Sequence, residues 1–286
     1  MDSLVSTGWL AHEMGASDLR IVDASYHLPD AQRDARQEYE AGHIPGAVFI
    51  DLAELVDPDS PIDNTLPPAE KFASRMQSLG LGDGSRIVLY DDSAIRTSAR
   101  AWYMLNRVFG AHNVAILDGG LAKWKAEGRE LSTGQPAMRD RHFTAWSDKA
   151  SLRSKSDVLA IVESGGLDSG GEQLVDARGA PRFTGEEQET RAGVASGHIP
   201  GSRNVPYKAL YAADGTFKDK AALRAVFEDA GVDLARPLVT TCGSGMSACA
   251  LAFALHLIGK QDVALYDGSW SEWGSDPATP KVTGPA

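Results

Sequence analysis

Short apolar runs rich in β-branched residues alternate with longer segments of helical spacing along the whole chain. In the first half the runs at 19–23, 48–51, 87–90 and 115–117 predict buried strands, and 7–14, 70–79 and 98–109 predict helices. In the second half the strands fall at 173–176, 202–205, 238–241 and 264–266, and the helices include 157–163, 220–230 and 247–258. Such an order implies an α/β chain: mostly parallel sheets flanked by helices on both faces. Residues 129–156 are polar with little periodicity and read as a connection. That places one domain at 1–138, a linker at 139–156 and a second domain at 157–286. The C-terminal ten or so residues, rich in Pro, Gly and Thr, read as loose.

The pattern is written twice. Ile21-Val22-Asp23-Ala24 returns as Leu174-Val175-Asp176-Ala177, and Gly42-His43-Ile44-Pro45-Gly46 returns as Gly197-His198-Ile199-Pro200-Gly201. Leu117-Asp118-Gly119-Gly120 with Trp124 returns as Tyr266-Asp267-Gly268-Ser269 with Trp273. Three matches in the same order at nearly constant offset indicate a tandem duplication. The two histidines read as turn anchors within Ile-Pro-Gly turns. Trp102, Trp124, Trp270 and Trp273 read as core or interface residues.

The halves differ at one chemically decisive position. Cys242 ends the run Pro237-Leu238-Val239-Thr240-Thr241 and begins the turn Gly243-Ser244-Gly245-Met246-Ser247, which leads into an apolar helix. A strand, a tight turn and a helix start direct backbone N–H groups and the positive helix end toward one point. Those features stabilise a thiolate, the nucleophilic form of cysteine. Aligning the halves puts Asp91 opposite Cys242, Ser98 opposite Ser247 and Gly110 opposite Gly259, with the first-half loop two residues longer. The first copy is therefore expected to have lost the chemistry and kept a structural or substrate-covering role.

A net charge of −11 argues against nucleic acid or an anionic membrane surface as partner. No signal peptide or membrane span is read. The only other cysteine, Cys249, is expected two helical turns from Cys242, roughly 10 Å away and too far to bridge. It reads as packed and inert. Two free thiols fit a reducing, cytoplasmic setting. Cysteine and histidine do not cluster at metal-ligand spacing, and no cofactor is called for.

Two His-Ile-Pro-Gly units, with a Cys-Gly-Ser-Gly-Met-Ser-Ala loop only in the second, resemble the tandem-domain rhodanese family of sulfurtransferases across nearly the whole chain. The resemblance implies two tandem rhodanese-like domains, only the second catalytic. Members that use thiosulfate usually carry basic residues straight after the cysteine. Those using mercaptopyruvate carry Cys-Gly-Ser/Thr-Gly-Val-Thr, and Gly243 and Ser244 place this chain with them. Met246 and Ser247 depart from the usual Val and Thr. By the same resemblance Arg182 and Arg191 grip the donor, a role that suits a planar guanidinium, though Glu186, Glu187 and Glu189 stand close enough in sequence to pair with both. Arg96 from the first half is a further candidate over the pocket.

The implied reaction is double displacement through a Cys242 persulfide. The sulfur comes from 3-mercaptopyruvate and goes to a thiol or cyanide, with a thioredoxin-like protein as a further acceptor. Backbone N–H groups of 243–247, and the Ser247 hydroxyl, would stabilise the anionic sulfur. Mercaptopyruvate-using members often present an Asp and a His to the loop serine as a proton relay. Ala53 and Asn64 stand at those positions here, which puts an acid–base role for Ser244 in doubt and weakens the donor preference. Thiosulfate as donor, and a persulfide carrier that does not turn over, remain open. A cysteine phosphatase is disfavoured because no loop residue is basic and phosphate-ester chemistry needs a cation there.

Overall fold

A computed structural model describes residues 1–136, 139–165 and 170–286; the expected domain boundary at 138 lies outside them. The chain divides into two units. One comprises Met1–Pro58, Leu66–Asp148 and Ala212–Phe217; the other comprises Asp59–Thr65, Lys149–Tyr211 and Lys218–Ala286. The segment read as a linker is thus shared, residues up to Asp148 going with the first unit and those from Lys149 with the second.

The first unit runs β1 (Leu4–Val5), α1 (Thr7–Glu13), β2 (Leu19–Asp23), α2 (Ala35–Ala41), β3 (Ala47–Phe49), α3 (Ala69–Ser78), β4 (Arg86–Tyr90), α4 (Ser98–Trp102), β5 (Val114–Leu117) and α5 (Gly120–Ala126). Its five strands are all parallel, in the order β1-β5-β4-β2-β3. The second unit runs β6 (Leu152–Arg153), α6 (Lys155–Glu163), β7 (Gln173–Asp176), α7 (Ala180–Thr184), β8 (Arg203–Asn204), α8 (Lys220–Asp229), β9 (Leu238–Thr241), α9 (Ala248–Leu257), β10 (Val263–Tyr266) and α10 (Ser269–Trp273). Its sheet order, β6-β10-β9-β7-β8, repeats the first strand for strand. Among the described residues no helix is long and apolar enough to cross a membrane.

Burial explains the central strands: β4 from Ile87, and the whole of β5, β7, β9 and β10, are inaccessible, as strands covered on both faces must be. Helix α9 is apolar all round because Ala248 through Leu255 are all buried. The four tryptophans expected inside are inside, each with 2 % exposure or less. Both histidines anchor their turns. His43 stacks on Tyr39 and bonds its carbonyl through Nδ1 (2.7 Å), while His198 does the same with Phe183 (2.9 Å).

Three expectations need correction. The segment 98–109 is not one regular helix: after α4 it widens into a π-helical stretch, Tyr103–Val108, with Phe109 N–H bonding Met104 O. Short edge strands β1 and β6 went unread because two residues show no period. The C-terminal tail is tied down rather than loose. Val282 and His198 exchange both backbone bonds, Gly284 N–H reaches Thr184 O, and Trp273 Nε1 donates to Pro280 O. Composition missed these ties because the tail's partners are main-chain groups far away in sequence.

The duplicated strand ends differ electrostatically. Asp176 forms a buried ion pair with Arg178, whose guanidinium also lies 4.6 Å over the Trp270 ring and bonds Gly197 O. At the matching place beside Asp23 stands Ser25, and burial pushes the Asp23 carboxyl up to about 6, against the hydrogen bonds from Ser25. A carboxyl raised above its unfolded value lowers stability as pH rises, here from about pH 4 to about 6. Asp23→Asn should therefore remove a loss on the order of 3 kcal/mol across that window. Urea unfolding at pH 4.5 and pH 7 checks it: the pH difference should shrink in the variant.

Candidate functional site

Cys242 follows β9 directly. Register places Asp176 opposite Thr241 in the second sheet and Asp23 opposite Tyr90 in the first, so Cys242 and Asp91 occupy corresponding positions, as the alignment of the halves predicted. The turn after Cys242 needs glycine at 245, where φ is +74°. A hydroxyl that sequence reasoning missed holds the turn. The buried Ser269 Oγ accepts N–H bonds from Cys242 (3.2 Å) and Gly245 (3.1 Å) and donates to Tyr266 O at 2.9 Å. From the other side, Trp270 N–H reaches Cys242 O (3.0 Å) and Ser271 N–H reaches Gly243 O (2.9 Å).

With the loop fixed this way, the N–H groups of Gly243, Ser244, Met246 and Ser247 find no acceptor among the described residues. The first half shows what such a turn accommodates. There the Asp91 carboxyl accepts from Ser93 N–H (2.8 Å) and Ser98 N–H (2.9 Å), so a tethered side chain takes amides of the turn that Cys242 does not. Burial nonetheless raises the Asp91 carboxyl's pKa. The first unit has a cavity of about 390 Å³ whose lining includes Asp23, Arg33, Glu38, Asp92 and Lys125, and no thiol.

The structure brings both predicted arginines to the loop. A Cβ added at Gly243 would stand 3.7 Å from the Arg191 guanidinium and 3.8 Å from that of Arg182. Glu189 bridges them: Arg182 Nη2 meets its Oε2 at 2.7 Å, and Arg191 grips both its oxygens through Nε and Nη2 at 3.0 Å. The Glu189 side chain is only 3 % exposed, the arginines 33 % and 34 %. Burial opposes its ionisation, but the two guanidiniums outweigh that and hold its carboxyl at about 2. A depressed carboxyl stabilises fully above about pH 4 and loses that contribution as pH falls toward 2, so Glu189 is charged at any neutral pH.

The arginines are used differently. Arg191 Nη1 also bonds Gly243 O (3.0 Å) and the Ser271 hydroxyl, so its donors are largely committed to the loop. Arg182 spends one donor on Glu189, leaving Nε and Nη1 without acceptors among the described residues.

Other predicted residues fall out variously. Cys242 is 2 % exposed, so its sulfur lies beneath the surface, with partly exposed Gly243 and Ser244 beside it. Met246 is buried. The hydroxyls of Ser244 and Ser247 have no partner among the described residues, and Ser247 makes no side-chain cap to α9. Cys249 is buried and donates to Gly245 O at 3.2 Å. Arg96 belongs to the first unit, where its guanidinium stands beside Gly215. Ala53 N–H bonds Asp51, while Asn64 takes a left-handed backbone.

Ser269 did leave a sequence signal. It sits at φ +51° where the first half has Gly120 at +57°. A Cβ on Gly120 would lie 2.5 Å from Asp91 O. A side chain kept in a glycine conformation marks a hydroxyl in use.

Comparison with known proteins agrees with this geometry. The rhodanese-like domain model matches residues 6–127 and 156–276. The chain is 41 % identical to human 3-mercaptopyruvate sulfurtransferase over 95 % of its length and 91 % of the relative's. It is 40 % identical, with the same coverage, to the thiosulfate sulfurtransferase of Cricetulus griseus. The crystal structure of SseA from Escherichia coli, a 3-mercaptopyruvate sulfotransferase, superposes with a TM-score of 0.84 at 37 % identity, covering 95 % of this chain and all of that one. The chain belongs to the rhodanese family, as two tandem domains.

Ser269→Ala leaves two buried N–H groups without their acceptor and should lower stability by about 1–3 kcal/mol. Chemical denaturation measures this, and a loss within error of zero would show that the hydroxyl does not hold the turn.

Proposed function

We propose that this protein is a sulfurtransferase that takes sulfur from 3-mercaptopyruvate through a persulfide on Cys242 and passes it to a thiol or cyanide. The observation that carries this reading is the set of N–H groups around the cysteine with no acceptor among the described residues, together with the Arg182 donors beside Gly243 that have none there either. Amides without acceptors stabilise an anion at the loop, and Arg182 takes the carboxylate of a small acid.

In the first half-reaction the Cys242 thiolate attacks the sulfur of mercaptopyruvate. The S–S bond forms as the C–S bond breaks, and its electron pair leaves with the carbon as pyruvate enolate, which takes up a proton to give pyruvate. Arg182 holds the donor's carboxylate. Arg191 fixes Gly243 O and so the direction of the loop amides. The N–H groups of Gly243, Ser244, Met246 and Ser247, with the unpartnered Ser247 hydroxyl, receive the persulfide's negative charge. In the second half-reaction the acceptor's lone pair attacks the outer sulfur, the S–S bond breaks and the thiolate returns. Ser244 then donates a hydrogen bond without relaying a proton, since neither Ala53 nor Asn64 transfers one. A thioredoxin-like dithiol fits the acceptor's chemistry, and a reducing compartment such as the cytoplasm keeps Cys242 and Cys249 as thiols.

Relatives at 41 % and 40 % identity carry mercaptopyruvate and thiosulfate names respectively, so the donor is read from the loop. Gly243 and Ser244 bring no cation to the attacking sulfur, which suits a monoanionic donor better than a dianion. With cyanide as acceptor, kcat/KM should be higher for mercaptopyruvate than for thiosulfate; the reverse order would overturn the donor. Arg182→Ala should lower kcat/KM for mercaptopyruvate about 10²-fold, mainly through KM, consistent with losing a charge-assisted grip. An unchanged KM would remove Arg182 from the donor site.

A further inference from the structure

Two guanidiniums and one carboxylate (2 − 1) give the group beside Gly243 a formal charge of +1. The carboxylate is not a surface counter-ion that a donor displaces. Its side chain is 3 % exposed, it takes three side-chain bonds from the two arginines, and its own N–H is tied to the Ser196 hydroxyl at 3.0 Å. Its position therefore stays fixed when a donor arrives. Arg191 is half neutralised by it and half committed to Gly243 O and Ser271. What remains for a ligand is close to one unit of positive charge, presented by Arg182.

We propose that Glu189 determines donor specificity by holding the Arg182–Arg191 group at a single positive charge, so that the site favours monoanionic sulfur donors over dianionic ones. This rests on the donor-binding role of Arg182 given above. A monoanion is matched by one charge. A dianion carries a second charge into a half-buried site whose other donors are neutral amides and hydroxyls, with Glu189 itself nearby. Replacing the carboxylate by an amide of the same shape raises the group to +2. The penalty on a second donor charge should then fall by roughly tenfold in rate or more, the size expected for one unit charge a few ångströms away at an effective dielectric near 20.

Glu189 also spaces the two guanidiniums, and a purely spacing role predicts something different: equal losses for every donor. The test compares two donors with the same reactive S–S bond and different charge, thiosulfate (dianion) and methanethiosulfonate (monoanion), with cyanide as acceptor. In each, the cysteine thiolate takes the outer sulfur, and the S–S bond breaks to release sulfite or methanesulfinate. In Glu189→Gln the ratio of kcat/KM, thiosulfate over methanethiosulfonate, should rise roughly tenfold and the rise should shrink at high salt. In Glu189→Asp, which keeps the charge, the ratio should stay within about twofold of the parent. An unchanged ratio in Glu189→Gln, with both donors falling alike, would overturn the proposal.

If Glu189→Gln fails to fold, Thr190→Lys takes its place. Thr190 is exposed, and a lysine there adds a positive charge on the same segment without touching the Glu189 bonds. The ratio should move the same way by a smaller factor, and no movement would count against the proposal. Mercaptopyruvate measured in parallel separates the two claims. A parent protein that does not use mercaptopyruvate, yet shifts its ratio in Glu189→Gln, would defeat the donor reading alone. Turnover of mercaptopyruvate with a fixed ratio would defeat the role of Glu189 alone.

Discussion

A main-chain turn whose amides are kept from pairing with the protein is the constraint on which the rest of this structure depends. Backbone N–H groups ordinarily find partners, and the turn after β9 leaves four without one among the described residues. It does so because its other groups are held firmly. Ser269 takes the N–H of Cys242 and Gly245, while Trp270, Ser271 and Arg191 take the carbonyls of Cys242 and Gly243. The remaining amides of the turn are then held in place, and rigidity is what makes such donors effective toward an anion that appears during a reaction.

The duplication provides an internal comparison. Both units use the same parallel sheet order and a turn at the same place after the central strand, two residues longer in the first, where the Asp91 carboxyl takes the N–H groups of Ser93 and Ser98. A carboxyl fixed by covalent attachment occupies those amides, and the first copy carries no thiol at this position. Around the turn the second copy differs in a thiol for the carboxylate, a serine for Gly120, and Arg178 in the place of Ser25. Each change serves the loop or the strand end beneath it.

Much of this was legible in the sequence, for identifiable reasons. Strands such as Leu19–Asp23, Gln173–Asp176 and Leu238–Thr241 could be read to the residue because a strand buried on both faces is a continuous apolar run. The cysteine turn could be read from Gly245, and Arg182 and Arg191 came through family likeness. Four helices of five to seven residues, α2, α5, α7 and α10, are too short to show a period. The roles of Ser269 and Ser271 depend on bonds to residues more than twenty positions away, which no local pattern encodes. Glu189 was visible as a partner for the arginines, but that it joins both while buried emerges only in three dimensions. The approach of both arginines to Gly243 was not legible from spacing, because they come from a segment some fifty residues earlier.

These features converge on one event, the arrival of a second sulfur on Cys242 inside a cradle already built for it. Intact-mass spectrometry of the protein treated with mercaptopyruvate in the absence of any acceptor observes that event directly. The account predicts a gain of one sulfur atom, localised to Cys242, absent in Cys242→Ser and reversed by cyanide. No gain in the parent protein, or a gain that persists in Cys242→Ser at Cys249, would contradict it.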